Sequence, residues 1–119
     1  MSHLEVWKKS HELTLKVYKI TRNFPSNEIY GITSQIKRSS SSIAANIIEG
    51  QSRQHTKEFI QFLYIAKGSV EETHYFLLLS KDLEYISQIE FDELEKLCIS
   101  IKMMLNKLIT VLKSKKRES

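Results

Sequence analysis

The stretch KRSSSSIAANIIEGQSRQ, residues 37–54, poses the central structural question of this chain. Four consecutive serines, Ser39–Ser42, precede an Ile/Ala run that contains Asn46 and Glu49 and ends at Gly50. Serine is a mediocre helix former because its hydroxyl competes for backbone hydrogen bonds. The serines could therefore form a loop, a catalytic cluster, or the middle of a helix that needs small residues.

The apolar spacing around the serines indicates a helix. Isoleucines recur at intervals of 3, 4, 7 and 4 residues, and Ser40 fills the gap in their stripe: Ile29, Ile32, Ile36, Ile43 and Ile47. This second predicted helix covers about residues 28–49, and Gly50 is expected to end it in the left-handed conformation. The same periodicity predicts further helices at about residues 4–23, 56–83 and 90–113, followed by a basic tail at 114–119. The apolar stripe of the last helix repeats at intervals of 4, 3, 4, 3 and 4 residues: Leu94, Cys98, Ile101, Leu105, Leu108 and Leu112.

Composition supports a single all-α domain. The 119 residues include only 3 glycines and 1 proline, too few for the many turns of a β-sandwich or barrel. Four helices with short connections favour an antiparallel up-down-up-down four-helix bundle. Between Phe59 and Leu83, 14 of 25 residues are apolar, on nearly all sides of the third helix. A helix of that kind is buried on more than one side, which predicts a homo-oligomer.

Several classes of protein are disfavoured by the sequence. No apolar run approaches the roughly 20 residues that span a bilayer, and MSHLEVWKKS at the N-terminus lacks the apolar core of a signal peptide. The single cysteine, Cys98, excludes an internal disulfide and a cysteine-based zinc site. We therefore expect a cytoplasmic protein with no membrane association, no metal and no cofactor.

The serine run has three interpretations. Ser39–Ser42 could pack closely against a second small-residue zone that contains Ala66, Gly68 and Ser69, with Gly68 allowing the two helices to approach. Serine hydroxyls beside Lys37 and Arg38 could instead contact phosphates. A nucleophilic serine is the weakest interpretation, because no Gly-x-Ser-x-Gly motif occurs.

Asn46 and Glu49 lie three residues apart and share a helical face. Glu49 stands near a helix C-terminus, where the helix dipole disfavours an anion, so it should have a partner. Arg53 and the free N–H groups that open the third helix are the candidates. We predict that Asn46 and Glu49 fasten the second connection to the body of the bundle; a metal-binding or acid–base role is the alternative.

The charges are distributed unevenly along the predicted bundle. The net charge is +4, and basic residues gather where the N-terminus, the second connection and the C-terminus would meet: Lys8, Lys9, Arg53, Lys57, Lys113, Lys115, Lys116 and Arg117. The opposite end would hold six acidic residues with no lysine or arginine between them in the sequence: Asp82, Glu84, Glu90, Asp92, Glu93 and Glu95. Such a field can steer a polyanion to the basic end. The alternative is that these charges only solvate the helix surfaces.

Three motifs in order resemble a known family. They are FP followed by YGITSQIKR (residues 24–25 and 30–38), SIAANIIEG (residues 42–50) and KEFIQFLYIAKGS (residues 57–69). Together they resemble the bacterial four-helix-bundle family of 23S rRNA intervening-sequence proteins, which is itself similar to the accessory variability determinant of diversity-generating retroelements. The resemblance implies a non-enzymatic homopentamer that binds RNA or DNA, and for the retroelement relatives a reverse-transcriptase partner.

The sequence thus supports two main hypotheses and one weaker one. The first is a non-enzymatic homo-oligomer that binds nucleic acid, without strong sequence preference, through its basic end, with Lys37 and Arg38 as further contacts. The second is a protein–protein scaffold or accessory factor with no affinity for nucleic acid. The third, a hydrolase or metalloenzyme, has no supporting motif: the histidines are scattered, and no Glu-x-x-His pair suggests a di-metal site.

Overall fold

Four helices build the chain. The computed structural model describes residues 2–118, with side chains described for residues 5–115. No strand occurs in residues 2–118, so the prediction of an all-α chain with four helices is confirmed. The helices are α1 (Ser2–Thr21), α2 (Ile32–Gln51), α3 (Thr56–Asp82) and α4 (Gln88–Glu118), and a short 3-10 turn covers Ser26–Glu28.

The helix boundaries lie within about two residues of the predicted ones except at the start of α2 and the end of α4. The second helix begins at Ile32 instead of Glu28, because Pro25 opens the 3-10 turn and Gly31 has a non-helical backbone (φ −106°, ψ −123°). The fourth helix begins two residues early, where Ser87 and Glu90 each accept a hydrogen bond from the other's backbone N–H. It also continues to Glu118, through most of the predicted tail.

The core is formed by one apolar stripe from each helix. Leu13, Ile43, Leu63 and Ile101 represent the four stripes, and none of them is exposed to solvent. The predicted stripe of α4 is confirmed, since Leu94, Cys98, Ile101, Leu105 and Leu108 are buried and Leu112 is half-buried against the core. Ile29 was assigned to the stripe of α2 but is exposed, because it lies in the turn before that helix.

The four serines lie inside α2, as predicted, at its contacts with two other helices. The hydroxyl oxygens of Ser39 and Thr73 lie 2.8 Å apart, and Ser42 donates to Ser69 at 2.6 Å. On the other side, Thr14 of α1 donates to the carbonyl of Ser40 at 3.0 Å. Each of the four serine hydroxyls also bonds to the carbonyl three residues earlier in α2, so their hydrogen-bonding capacity is met within the fold. These contacts support the packing interpretation.

The predicted roles of the two helical glycines are wrong. Gly50 does not end α2 in the left-handed conformation: the helix continues to Gln51, and no described glycine has positive φ. Gly68 does not create a close contact, because a Cβ placed there would meet nothing within 4 Å. The close approach is instead at Gly50, where a Cβ would lie 2.8 Å from both Phe59 Cδ1 and Phe62 Cβ. Gly50 is thus the glycine that lets α2 and α3 approach.

Asn46 and Glu49 do not jointly fasten the second connection to the body of the bundle. Asn46 Nδ2 donates to the carbonyl of Ser42 at 2.7 Å, within its own helix. Glu49 pairs with Arg53 at 2.7 Å, and Arg53 was one of its two predicted partners. Both groups are largely exposed, so this ion pair contributes little to stability. The prediction is therefore wrong for Asn46 and right only for the Glu49–Arg53 contact.

The connection between α3 and α4 packs against the connection between α1 and α2. Tyr85 donates its hydroxyl to Glu28 at 2.7 Å, and its ring lies 5.3 Å from that of Phe24. At the end of α3, Glu84 has the left-handed backbone conformation, with φ 64°. The N–H of Tyr85 donates to the carbonyl of Ser80, and this hydrogen bond ends the helix. Both connections therefore lie at the same end of the molecule.

Cys98 is a packing residue of the core. Its side chain is inaccessible to solvent, and burial raises the pKa of the thiol to about 12. The thiolate, which is the reactive form, is therefore essentially absent at neutral pH.

We expect Cys98 in the native protein to resist alkylation by iodoacetamide at pH 8, and to react at the rate of a free cysteine in denaturant. The measurement is the mass increase with time under both conditions. Rapid labelling of the native protein would mean that α4 opens locally on the timescale of the reaction.

Across residues 2–118, no helix has both the length and the apolar character needed to cross a membrane. Among the side chains of residues 5–115, His, Cys, Asp and Glu form no group of three that could hold a metal ion.

Candidate nucleic-acid interface

Three of the predicted basic residues lie at the first turns of α3, two of them on the same side of the helix. Lys57 lies in the first turn of α3 and is exposed. Arg53, in the preceding connection, lies 4.8 Å from the ring of Phe62. Lys113 of α4 donates to the hydroxyl of Tyr64 at 2.6 Å. Lys57 and Tyr64 are seven residues apart and lie on one side of α3, so Lys57 and Lys113 form one basic surface with Tyr64. Arg53 packs on Phe62, which lies on the opposite side of the helix from Tyr64.

The remaining predicted residues occupy several places. Lys8 is exposed and Lys9 half-buried, both in the second turn of α1, and Lys115 is exposed near the end of α4. The side chains of Lys116 and Arg117 lie outside the described residues. Lys37 and Arg38 belong to the second turn of α2, away from Arg53 and Lys57 at the other end of that helix.

Few of these basic groups are neutralised inside the protein. Among the described side chains, Lys8, Lys57 and Lys115 are exposed and take part in no ion pair, whereas Arg53 pairs with Glu49. The ammonium group of Lys37 lies 4.7 Å from the ring centre of Tyr18. Exposed lysines without an acidic partner are suited to contact phosphates.

The acidic end is less negative than the sequence pattern indicates. Glu93 pairs with Lys16 of α1 at 2.7 Å, and this contact lowers the pKa of Glu93 and raises that of Lys16. Glu95 lies 2.8 Å from His74. Asp82 lies 3.7 Å from its neighbour Lys81. The predicted difference between the two ends therefore rests more on the exposed lysines than on free carboxylates.

One crevice in the described part of the chain is small for a substrate, and two larger hollows, of about 650 and 460 Å³, are shallow and open to solvent. A crevice of about 180 Å³ lies between the end of α1 and the start of α4, lined by Lys16, Lys19, Asn23, Glu90 and Glu93, among others. Pockets for small molecules usually measure about 300–1,000 Å³. The charged groups lining the crevice are partly occupied with each other, as in the Lys16–Glu93 pair.

Sequence reasoning missed the aromatic part of the basic surface. In the sequence, Tyr64 was counted only as one of the apolar residues that surround the third helix. In the structure it is 44% exposed and its hydroxyl contacts Lys113. The two residues are 49 positions apart, so no local spacing could pair them. The sequence indicated only that α3 has more apolar residues than one core-facing stripe can hold, so some of them had to lie on the surface.

Comparison with known proteins gives a consistent family assignment. The family model described as 23S rRNA-intervening sequence protein matches residues 2–107. No curated protein matches the chain. A solved structure from Bacteroides thetaiotaomicron, described as a protein with unknown function from the S23 ribosomal protein family, is 29% identical, with a TM-score of 0.85. The match covers 92% of this chain and 99% of that one. The chain belongs to the 23S rRNA-intervening sequence protein family.

Proposed function

We propose that this protein is a non-enzymatic homo-oligomer that binds nucleic acid, RNA or DNA, through the basic end of an antiparallel four-helix bundle. The observation that carries the proposal is the surface that Lys57 and Lys113 form on one side of the first turns of α3, with Arg53 on the other side of the same turns. The name of the family refers to an rRNA segment, which is in keeping with an RNA ligand. The proposal includes a cytoplasmic location and no cofactor.

The up-down-up-down order is supported by contacts between helices. Lys16, in the last third of α1, pairs with Glu93, in the second turn of α4. Tyr85 and Glu28 join the first and third connections. In an antiparallel bundle these contacts leave the N-terminus, the second connection and the C-terminus at the opposite end, which is the end that carries the exposed lysines.

Self-association is supported by apolar side chains on outward-facing surfaces. Ile65 and Tyr75 of α3 are 51% and 57% exposed, and Met103 of α4 is 65% exposed beside Ile99. Apolar groups clustered on a surface mark interaction sites more often than isolated ones do. The proposed number of five subunits comes from the family resemblance, and a ring of five would place five basic ends side by side.

The same apolar surfaces favour a second candidate function. A shallow patch on α4 is lined mainly by apolar atoms of Ile99, Met103 and Met104, between Lys96 and Lys107. Methionine-rich surfaces adapt well to protein partners. The protein could thus serve as a scaffold, or as an accessory factor for a reverse-transcriptase-like partner, without binding nucleic acid itself.

Light scattering of the purified protein, with and without a generic RNA at low and high salt, tests the proposal. We expect a mass of about five chains that increases with RNA at low salt only, because phosphate contacts weaken as salt rises. A pentamer whose mass does not increase with RNA at any salt concentration would favour the scaffold function. A monomer would refute the proposed assembly.

Charge reversal at the basic end provides a sharper test. Replacing both Lys57 and Lys115 with glutamate should weaken RNA binding by at least about tenfold at low salt. The slope of log K against log salt should also fall, by about 1 for each phosphate that the protein no longer neutralises. Fluorescence anisotropy of a labelled RNA, titrated at several salt concentrations, measures both quantities.

The matched control reverses Lys19 and Arg22, which are exposed near the other end of α1 and change the net charge equally. This pair should leave affinity within about twofold of the unaltered protein. Equal losses in the two variants would show that binding responds only to overall charge and has no preferred surface.

A further inference from the structure

Tyr64 presents an aromatic ring to solvent beside Lys113, on the side of α3 that also carries Lys57. The ammonium group of Lys113 is 2.6 Å from the Tyr64 hydroxyl but 5.1 Å from the ring centre. It therefore lies beyond the hydroxyl end and leaves ring surface open, in agreement with the 44% exposure of the residue. A flat apolar surface next to a fixed positive charge is the arrangement that binds a base and its phosphate together.

The charges around Tyr64 favour an anionic ligand. Lys57 and Gln61 precede Tyr64 by seven and three residues, and therefore lie on the same side of α3. Glu71, seven residues further on, is the nearest carboxylate along that side. It pairs with Lys102 of α4 at 2.8 Å. The surface around the ring is thus positive, and its one acidic neighbour on this side is neutralised.

The other exposed tyrosines differ from Tyr64. Tyr18 is also 44% exposed, but the ammonium group of Lys37 lies over its ring, 4.7 Å from the ring centre, and covers one face. Tyr75 is 57% exposed, but the exposed Glu72 precedes it by three residues and lies on the same side of α3. Tyr30 is 93% exposed and lies beside the connection that carries Glu28. Among the described residues, therefore, Tyr64 best combines an open ring with an ammonium group at its edge.

We propose that Tyr64 is a stacking platform for an unpaired base, with Lys113 and Lys57 contacting the adjoining phosphates, so that the protein binds single strands more tightly than duplex. This inference rests on the proposed function and names the form of nucleic acid that the basic end takes. Bases in a duplex are stacked on each other and offer no free face to a protein side chain. A single strand can turn one base onto the ring while its backbone stays on the lysines.

The test compares three variants by anisotropy with labelled oligouridine and oligothymidine of about 12 nucleotides, and with a duplex of the same length. Tyr64→Leu keeps the apolar bulk and removes the aromatic face. It should weaken single-strand binding by about 5- to 150-fold, which corresponds to roughly 1–3 kcal/mol of stacking per base. Duplex binding should change by less than about twofold.

Two further variants make the result specific. Tyr64→Phe keeps the ring and loses only the hydroxyl interaction with Lys113, so it should retain single-strand affinity. Tyr75→Leu makes the same substitution as Tyr64→Leu on the acidic part of α3, so it should leave both ligands unaffected. Circular dichroism of each variant checks that helical content is unchanged.

The outcomes separate this inference from the proposed function. Salt-dependent binding that Tyr64→Leu leaves unchanged, or weakens equally for single strand and duplex, would overturn the stacking platform and leave the basic interface standing. If the unaltered protein binds none of the three ligands, both proposals fail. Equal losses with oligouridine and oligothymidine would support stacking on either type of strand, and a loss with only one would assign the platform to RNA or to DNA.

Discussion

Replacing Gly50 with leucine should lower the free energy of unfolding by about 3 kcal/mol, because the added side chain has no space between α2 and α3. A Cβ at this position would already lie 2.8 Å from Phe62 Cβ, an atom next to the backbone that cannot rotate away. The Phe59 ring could move, but Phe62 could yield only if the helices separated. Denaturation by urea at a fixed protein concentration measures the loss.

Gly68→Ala is the matched control for this substitution. Nothing lies within 4 Å of the Cβ position at Gly68, so alanine should raise the free energy of unfolding by up to about 1 kcal/mol through its better helix propensity. An unchanged midpoint for Gly50→Leu would show that α2 and α3 can move apart freely. A destabilising Gly68→Ala would instead reveal that another copy of the chain covers this face of α3.

The second large effect is expected at Leu77, in the run Leu77–Leu78–Leu79. Leu77 is fully buried, and its replacement with alanine removes apolar packing and leaves a cavity. Substitutions of this kind cost about 2–5 kcal/mol. Thermal or urea denaturation, monitored by circular dichroism, gives the change.

Leu78→Ala makes the same chemical change one residue later, at a side chain that is 39% exposed. We expect it to cost less than about 1 kcal/mol, because the residue buries less apolar surface in the fold. Equal losses at Leu77 and Leu78 would contradict the orientation of α3 in the bundle. A loss at Leu78 that grows as the protein is diluted would point to an interface between subunits.

These tests separate what local sequence patterns can predict from what they cannot. The stripe of α4 was predicted from spacing alone, because 3.6-residue periodicity depends only on neighbours along the chain. The boundaries were predicted less well. The start of α2 depends on the 3-10 turn after Pro25 and the non-helical backbone of Gly31, and the start of α4 depends on reciprocal bonds between Ser87 and Glu90.

The residues of the proposed interface followed the same division. Lys57 and Lys115 were found from the sequence, because exposed lysines at predicted helix ends need no knowledge of distant neighbours. Tyr64 was not found, because its position beside Lys113 depends on how α3 packs against α4. Glu93 was identified as acidic, but its neutralisation by Lys16 also required the packed helices.

The sequence by itself determined the all-α class, four helices, the core stripes, the family and the excess of positive charge. All of these follow from composition, periodicity and motifs that can be read within short segments. Only the tertiary structure decided that Gly50, and not Gly68, is the point of close approach, and that Tyr64 and Lys113 share one surface. Both glycines look alike in the sequence, because a glycine has no side chain whose size or polarity indicates what packs against it. What surrounds it is determined by the rotation of one helix against another.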